Sequence, residues 1–493
     1  MKSKKEKQTK GGSEMFDNII AKIEELLNRF GEGIVEILRG EKDIAKYSME
    51  LKVKMDEIGK EMIKEVCGLV DEIVRNEKER KARYDVVRKD RRNIKTIFGD
   101  VEYIRTYYKN KEDGGYVYLA DEILGIEKYQ RIDKAVKAAI VEKVVEMSYE
   151  KAAKEVLGEE KITRQSVMNI LKRIEAAQLD RIEDNKKGVA GSKKVVKELY
   201  IEADEDHISL QSGEGKIAKL AYINEGYKEE EGIVKRKELK GVHYFSSIKE
   251  KPEDIWSKVS EYIEERYETE KIEKIYLLGD GAAWIKEGLE WIPRAEFVLD
   301  RFHLMREVIR ISRGNKKIFA GIIEALKGRD REKFEKLVAE AMEKAEGDEK
   351  AKKRIRDSRR YIANHWDNIV LELDNRIIKG CSAEGHVSHV LADRMSSRPR
   401  GWSEEGAEVM VKLLSLKYNG VNLREAYLKE ICSKEEKKEK ILKEIVRKNI
   451  KKIKKQIEET RNNVPILARG KVDLMFRVLK GLSTRDFLNA VVF

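Results

Sequence analysis

A chain of 493 residues is too long for one ordinary core and points to roughly two to four domains. Lysine and arginine total 104 against 92 aspartates and glutamates, and the net charge of +12 suits a polyanionic partner, although a heat-adapted surface of ion pairs would give the same 40% charged composition. No run nears the roughly twenty apolar residues of a membrane span, and Cys67, Cys381 and Cys432 form no CxxC pair, so membrane, zinc-ribbon and disulfide-framework classes drop out and a cytoplasmic location is expected.

Residues 1–15 are basic and polar without an apolar signal stretch and read as a disordered tail. From 16 to 90 the spacing predicts helices, with Phe16, Ile19, Ile20, Ile23, Leu26 and Leu27 on one stripe. The period then changes. KTIFGDVEYIRTYYKNKEDGGYVYLADEIL carries β-branched and aromatic runs broken at Gly99-Asp100 and at Glu112–Gly115, which predicts a basic, aromatic β-hairpin.

Two helices follow, with Ser148 and Thr163 as candidate N-caps. On the second, Val167, Ile170, Leu171 and Ile174 share one face, while Arg164, Gln165, Asn169 and Lys172 share the other. A helix-turn-helix divides its recognition helix in this way and offers Arg, Gln and Asn to base edges. An ordinary amphipathic surface helix shows the same division. The hairpin and this pair are read together as a DNA-binding region over residues 91–185.

From 186 the apolar runs lengthen. VVKELYIEAD, HISLQS and IAKLAYINEG read as three consecutive strands. A helix over PEDIWSKVSEYIEERYETE, a buried strand IEKIYLLGD, a short helix and a strand AEFVLDRFH complete an α/β core over 186–301. Asp204, Asp280 and Asp300 end strand-like runs, where sites form in open α/β sheets. Glu384 lies in a polar segment with helical potential. Carboxylates gathered from such positions suit divalent metal beside a phosphodiester. Residues 302–378 are helical and charged and read as an insertion. Residues 379–415 return to the core, and 416–493 form a basic helical region whose Lys-rich segment has a solvated amphipathic helix as its default reading.

The segments RTYYKNKEDGGYVYLADEILGI, MSYEKAAKEVL, LYIEADEDHISLQ, LLGDGAAWIKEGL, FVLDRFHLMREV and EGHVSHVLADRMSSRPRGW span most of the chain. Through them it resembles the DDE-type transposases of bacterial insertion sequences, most specifically the second ISLre family. The resemblance implies a ribonuclease-H-like mixed sheet with a helical insertion, flanked by all-α N-terminal and helix-turn-helix regions. It matches Asp204, Asp280 and Glu384 to the catalytic, metal-holding acids and implies Mg²⁺ or Mn²⁺, two ions per site. Asp206 competes as the first acid, and Glu404 and Glu405 compete as the third. Asp300 and His303 fall on an LDxFH element close to such sites, and His386 and His389 are accessory candidates near Glu384. Arg394, Arg398 and Arg400 suit phosphate clamping, and equally surface ion pairing.

The implied activity is cleavage at the element's terminal repeats and strand transfer into target DNA, with DNA as partner, a homodimer or higher oligomer assembled on it, and a nucleoid-associated location. A non-catalytic helix-turn-helix regulator and a nuclease without strand transfer are the alternatives. Each residue also has a plainer reading: an Asp before Gly commonly makes a turn, and a His after a strand commonly satisfies a core hydrogen bond.

Overall fold

The computed structural model describes residues 25, 29–158, 162–187, 193–227, 238–369, 382–397, 401–431 and a few positions between 446 and 454. The tail 1–15, the stripe Phe16–Leu27 apart from residue 25, Arg398, Arg400 and most of the Lys-rich C-terminal segment lie outside these residues. The chain divides into two units, one of Met1–Lys137 with Glu435–Phe493 and one of Ala138–Lys434.

In the first unit a long helix α1 (Ile44–Asn76) starts where Asp43 accepts the Lys46 N–H at 2.8 Å. It packs on the antiparallel pair β1 (Tyr84–Thr96) and β2 (Gly99–Asn110), to which β3 (Tyr116–Val117) adds a short edge. The hairpin forms around the expected break at Gly99, but its first strand begins at Tyr84, inside the stretch that helical spacing predicted. Alternating burial of Arg92, Ile94 and Thr96 against exposed Arg91 and Asn93 is the two-residue period of a half-buried strand. Helix α2 (Leu119–Leu124) brings in Asp121, which takes Arg92, Arg105 and the Tyr103 hydroxyl into one buried ionic cluster.

The division between the units falls within α3 (Lys134–Val144), and the second unit continues with α4 (Tyr149–Leu157) and α5 (Arg164–Leu171). Ser148 and Thr163 cap α4 and α5 by accepting the Lys151 and Ser166 N–H groups, as expected from their positions. Helix α6 (Ala176–Lys187) leads to a five-stranded mixed sheet of order β6-β5-β4-β7-β8. Its strands are β4 (Glu198–Ser209), β5 (Gly215–Asn224), β6 (His243–Ser247), β7 (Lys274–Gly279) and β8 (Ala295–Leu299), with α7 (Pro252–Arg266) between β6 and β7. The meander is therefore divided differently from the sequence reading. ELYIEAD and HIS are one continuous strand, because the β5 ladder runs unbroken past the acids from Tyr200↔Asn224 to Ser209↔Gly215. The third strand is HYFSS, which the sequence reading passed over.

Strands β4–β6 are antiparallel neighbours, whereas β7 and β8 run parallel to β4. Leu199, Ile201 and Ala203 on one face join Trp256 and Val259 of α7 in the main core. The same core continues into the helical layer α8 (Arg301–Ser312), α9 (Lys316–Lys327), α10 (Arg331–Glu343) and α11 (Glu349–Asn364) through Val308, Ile322, Phe334 and Ile362. The opposite face carries Tyr200, Tyr276, Leu278 and Val298. Beyond lie α12 (Ala383–Val387), which packs on β4, and α13 (Glu404–Tyr418), which packs on β6. No helix among the described residues is long and apolar enough to cross a membrane.

Candidate functional site

The β4–β7 ladder ends at Glu202↔Leu278, and two residues later on each strand stand Asp204 and Asp280. The β7–β8 ladder ends at Gly279↔Leu299, and the Asp300 N–H donates to the Gly279 carbonyl at 2.7 Å. Three aspartates thus stand just past the last rungs of the two parallel ladders that join three neighbouring strands. A Cβ at Gly279 would stand 3.0 Å from the Ala203 carbonyl oxygen and 2.9 Å from Ile285, so only glycine lets the two strands close up beside the acids.

Each acid is held differently. Asp204 is mid-strand rather than at a strand end, paired opposite Leu220, and its Oδ1 accepts the Glu205 N–H at 2.8 Å. Burial pushes its carboxyl up to about 6, and the charges of Asp280 and Asp300 add to the rise against the Glu205 N–H and His303. Asp280 Oδ1 accepts the Ala282 N–H at 2.8 Å, the turn chemistry expected of Asp before Gly. Asp300 is buried and caps α8 by accepting the Phe302 and His303 N–H groups, and His303 Nδ1 lies 2.6 Å from its Oδ2. That contact raises the His303 imidazole above its ordinary value.

Asp206 is bound up elsewhere. Its Oδ1 accepts the Ser396 hydroxyl at 2.8 Å while Oδ2 is buried without a partner, and Asp280 and Asp300 are absent from the groups that shift it. Asp204, not Asp206, is the β4 acid that senses the other two.

Glu202, passed over by the sequence reading, ties β4 to the segment that carries Glu384. This buried carboxylate on β4 accepts the Tyr222 hydroxyl at 2.7 Å, the Asn224 amide at 3.1 Å and the Ser382 N–H at 2.5 Å. Ser382 immediately precedes α12, so the clamp holds Glu384 near the β4 face that bears Glu202. Glu384 is exposed, and no hydrogen bond or ion pair joins it to Asp204 or Asp280. Among the described residues no three His, Cys, Asp or Glu side chains stand close enough to hold a metal ion by themselves. The available signal for Glu202 was a lone acid inside the apolar run LYIEA, two residues before Asp204 and hence on the same face.

His386 stacks on Tyr222 with ring centroids 4.4 Å apart, and its Nδ1 lies 2.7 Å from the Tyr244 hydroxyl. Burial lowers it to about 4, with His389 adding to the fall, which keeps it neutral. His389 is exposed beside Asp393. Glu404 and Glu405 stand on α13 and pair with Lys216 and Lys249. Arg394 turns inward instead of reaching a phosphate. It is 6% exposed, its Nε donates to the Val144 carbonyl at 2.6 Å, and its guanidinium lies 4.9 Å from the Trp402 ring centroid.

On α5, Val167, Ile170 and Leu171 are buried, with Ile174 buried just beyond, and Arg164, Gln165, Asn169 and Lys172 are exposed. The split between faces is as expected. Arg164 pairs with Glu150 of α4, and the Gln165 amide donates to Asn169 at 3.2 Å. Arg164, Gln165 and Lys172, with Tyr149, Gln211 and Trp402, line a cavity of about 530 Å³.

The fold and site define a mixed α/β protein with an acidic centre at the ends of its parallel strands. The chain belongs to the uncharacterised protein family UPF0236, whose model matches residues 42–432. A UPF0236 protein of Caldanaerobacter subterraneus subsp. tengcongensis is 40% identical over 467 residues, covering 95% of this chain and 98% of the relative. A second from that organism, whose name joins many loci of one genome, is 39% identical over 468 residues, covering 95% and 97%. A UPF0236 protein in the vanSb 3′ region of Streptococcus gallolyticus is 24% identical over 351 residues, covering 69% and 75%. Among solved structures, the Drosophila P element transposase strand transfer complex matches with a TM-score of 0.24 at 12% identity, covering 72% of this chain and 92% of that one.

Proposed function

We propose that the chain is a DDE-type transposase that cuts DNA at the ends of its own mobile element and joins those ends to target DNA. The observation that carries this reading is the pairing of Asp204 and Asp280 beyond the last rungs of neighbouring parallel strands, with the Asp204 carboxyl pushed up to about 6. The strand order, three antiparallel and then two parallel strands with the first at the centre, supports the ribonuclease-H-like core that the resemblance implies. The helical layer α8–α11 falls between the second acid and the third, where such cores carry insertions. Relatives present at many loci of one genome fit an element that copies or moves itself.

Two carboxylates at neighbouring strands suit a hard divalent cation that takes its remaining oxygens from water and substrate phosphate. Asp204 is a desolvated carboxylate among other carboxylates, and binding Mg²⁺ or Mn²⁺ would relieve that repulsion. Asp204 and Asp280 would hold it, with Glu384 joining from α12 and substrate phosphate supplying further oxygens. When bound, one or two such ions favour ionisation of an attacking water or 3′-hydroxyl and neutralise charge on the leaving oxygen. The protein positions the phosphodiester and excludes competing geometries, the main demand of phosphoryl transfer. Hydrolysis breaks one P–O bond and forms another to water. Transfer repeats the exchange with the freed 3′-hydroxyl as nucleophile. The exposed face of α5 would read the terminal repeats.

The deciding experiment is a cleavage assay on DNA carrying the sequences that flank the gene, with Mg²⁺, Mn²⁺ or chelator, comparing wild type with Asp204→Asn and Asp280→Asn. Metal-dependent nicking at the element boundary, lost in both variants while end binding persists, is expected. Tight end binding without cleavage under either metal would identify a regulator instead, and cleavage at arbitrary sequence would identify a nuclease.

A further inference from the structure

The loop that carries Asp280 is fixed from below by the last turn of the helical layer. The Tyr361 hydroxyl, on α11, donates to the Asp280 carbonyl oxygen at 2.6 Å across 81 positions of sequence. One turn on, His365 Nδ1 donates to the Tyr361 carbonyl at 2.9 Å, and the two rings lie 4.7 Å apart. This leaves Nε2 as the acceptor nitrogen of a side chain only 7% exposed, and that nitrogen has no hydrogen-bond partner. It faces Gly281. A Cβ built there would stand 2.2 Å from His365 Nε2, and Gly281 holds a φ of +88°. The imidazole therefore occupies the space that a side chain at position 281 would need.

Ordinary core packing would place apolar atoms in this position. Instead a buried imidazole with an unsatisfied nitrogen and a tyrosine aimed at a backbone carbonyl bracket the one residue between Gly279 and Gly281. Leaving a polar atom buried and unpaired is unfavourable, and the rest of the fold carries that cost. An aspartate flanked by two glycines has a mobile backbone by default. Its carboxylate is tied to the Ala282 N–H within the same loop and so turns with whatever holds that loop.

We infer that Tyr361 and His365 are positioning residues, which set the direction of the Asp280 carboxylate and through it the affinity of the site for a divalent cation. The inference rests on the proposed metal-dependent reading and adds to the helical layer a role in the active centre. Residues that orient a metal ligand without touching the metal commonly change affinity about 10–100-fold when replaced.

The test uses the full chain, Mn²⁺ or Mg²⁺ alone as probe, and two readouts: the metal-induced rise in melting temperature without DNA, and the metal concentration giving half-maximal cleavage. Tyr361→Phe keeps the ring and loses only the hydroxyl. It is expected to bind element ends like wild type and to need about tenfold more metal in both readouts, with cleavage recovering at high metal. Gly281→Ala is expected to lose metal response more severely, and adding His365→Ala to recover part of that loss, since the imidazole is the nearer obstacle. A Tyr361→Phe protein that titrates like a responding wild type overturns the inference alone, as does strict additivity of the Gly281 and His365 changes. A wild type without any metal response overturns the underlying reading, and this inference with it.

Discussion

Glu202 and Ser382 stand 180 positions apart, yet Oε2 of the first accepts both the N–H of the second at 2.5 Å and its hydroxyl at 3.1 Å. The Tyr222 hydroxyl, directly opposite Glu202 in the β4–β5 ladder, closes the group by lying 2.9 Å from Ser382 Oγ. A carboxylate this deep is tolerable because it accepts from four donor groups.

Glu202→Ala should therefore cost about 3–5 kcal/mol, since it strands the buried Tyr222, Asn224 and Ser382 donors together. Glu202→Gln, which turns an amide N–H toward those donors, should cost about 1–3 kcal/mol and free the start of α12. Urea unfolding gives the first quantity. The second predicts faster proteolysis and hydrogen exchange around Ser382–Val387, with cleavage lost before end binding.

Two buried groups should tilt the pH dependence of stability in opposite directions. Asp204 has its folded value raised from 3.8 to about 6, so the native state holds that proton more tightly and stability falls as pH rises through this window. His386 has its folded value lowered from 6.5 to about 4, so stability is full above 6.5 and is lost as pH falls toward 4. Each shift amounts to at most about 3 kcal/mol, and partial exposure of His386 reduces its share. Asp204→Asn should stabilise the protein by about 1–3 kcal/mol at pH 7.5 and leave a stability that climbs with pH between 4 and 6.5. His386→Phe should leave the opposite slope. Unfolding curves at several pH values decide both.

Lys412 is 6% exposed and joins Asp180 of α6 at 2.6 Å with Glu250 and, at 3.7 Å, Glu408, while Lys258 meets Asp180 and Glu250 from the other side. Lys412→Met should cost about 3–5 kcal/mol, because it leaves a largely buried acid cluster short of one cation. Thermal melts should show the loss at low salt and at 0.5 M salt alike, since buried charges are poorly screened.

On α5, Gln165→Ala and Asn169→Ala should lower discrimination between element ends and random DNA by about 1–3 kcal/mol at the base each one reads. Lys172→Ala should weaken both kinds of DNA together and reduce the salt slope by about one. Fluorescence anisotropy at several salt concentrations separates these outcomes. Unchanged affinities in all three variants would remove this helix from recognition.

Much of this architecture was legible because local chemistry and final structure agree. Ser148 and Thr163 cap helices wherever the chain places them, and GDG announces a turn around Asp280. The apolar runs of IEKIYLLG and AEFVL mark buried strands. Legibility failed where a long-range partner decides. Charged residues after Ala203 suggested a strand end, yet β5 continues the ladder through all of them. Arg394 looked like a surface cation, but the Val144 carbonyl and the Trp402 ring draw it inside. Nothing local to YIANHW names Asp280 as its neighbour, and nothing local to Glu202 names Ser382.

The joins that build the acidic centre all cross long stretches of chain: β4 to β7, Tyr361 to Asp280, Glu202 to Ser382. During synthesis, Ser382 must leave the ribosome before the last of them can close. Such distant contacts form late and slowly. A growing or prematurely ended chain lacking Ser382 leaves Glu202 without two of its donors and carries no Glu384. The proposed cutting activity is therefore not expected of any chain that stops before Glu384, because topology alone withholds both the clamp and the acid it seats.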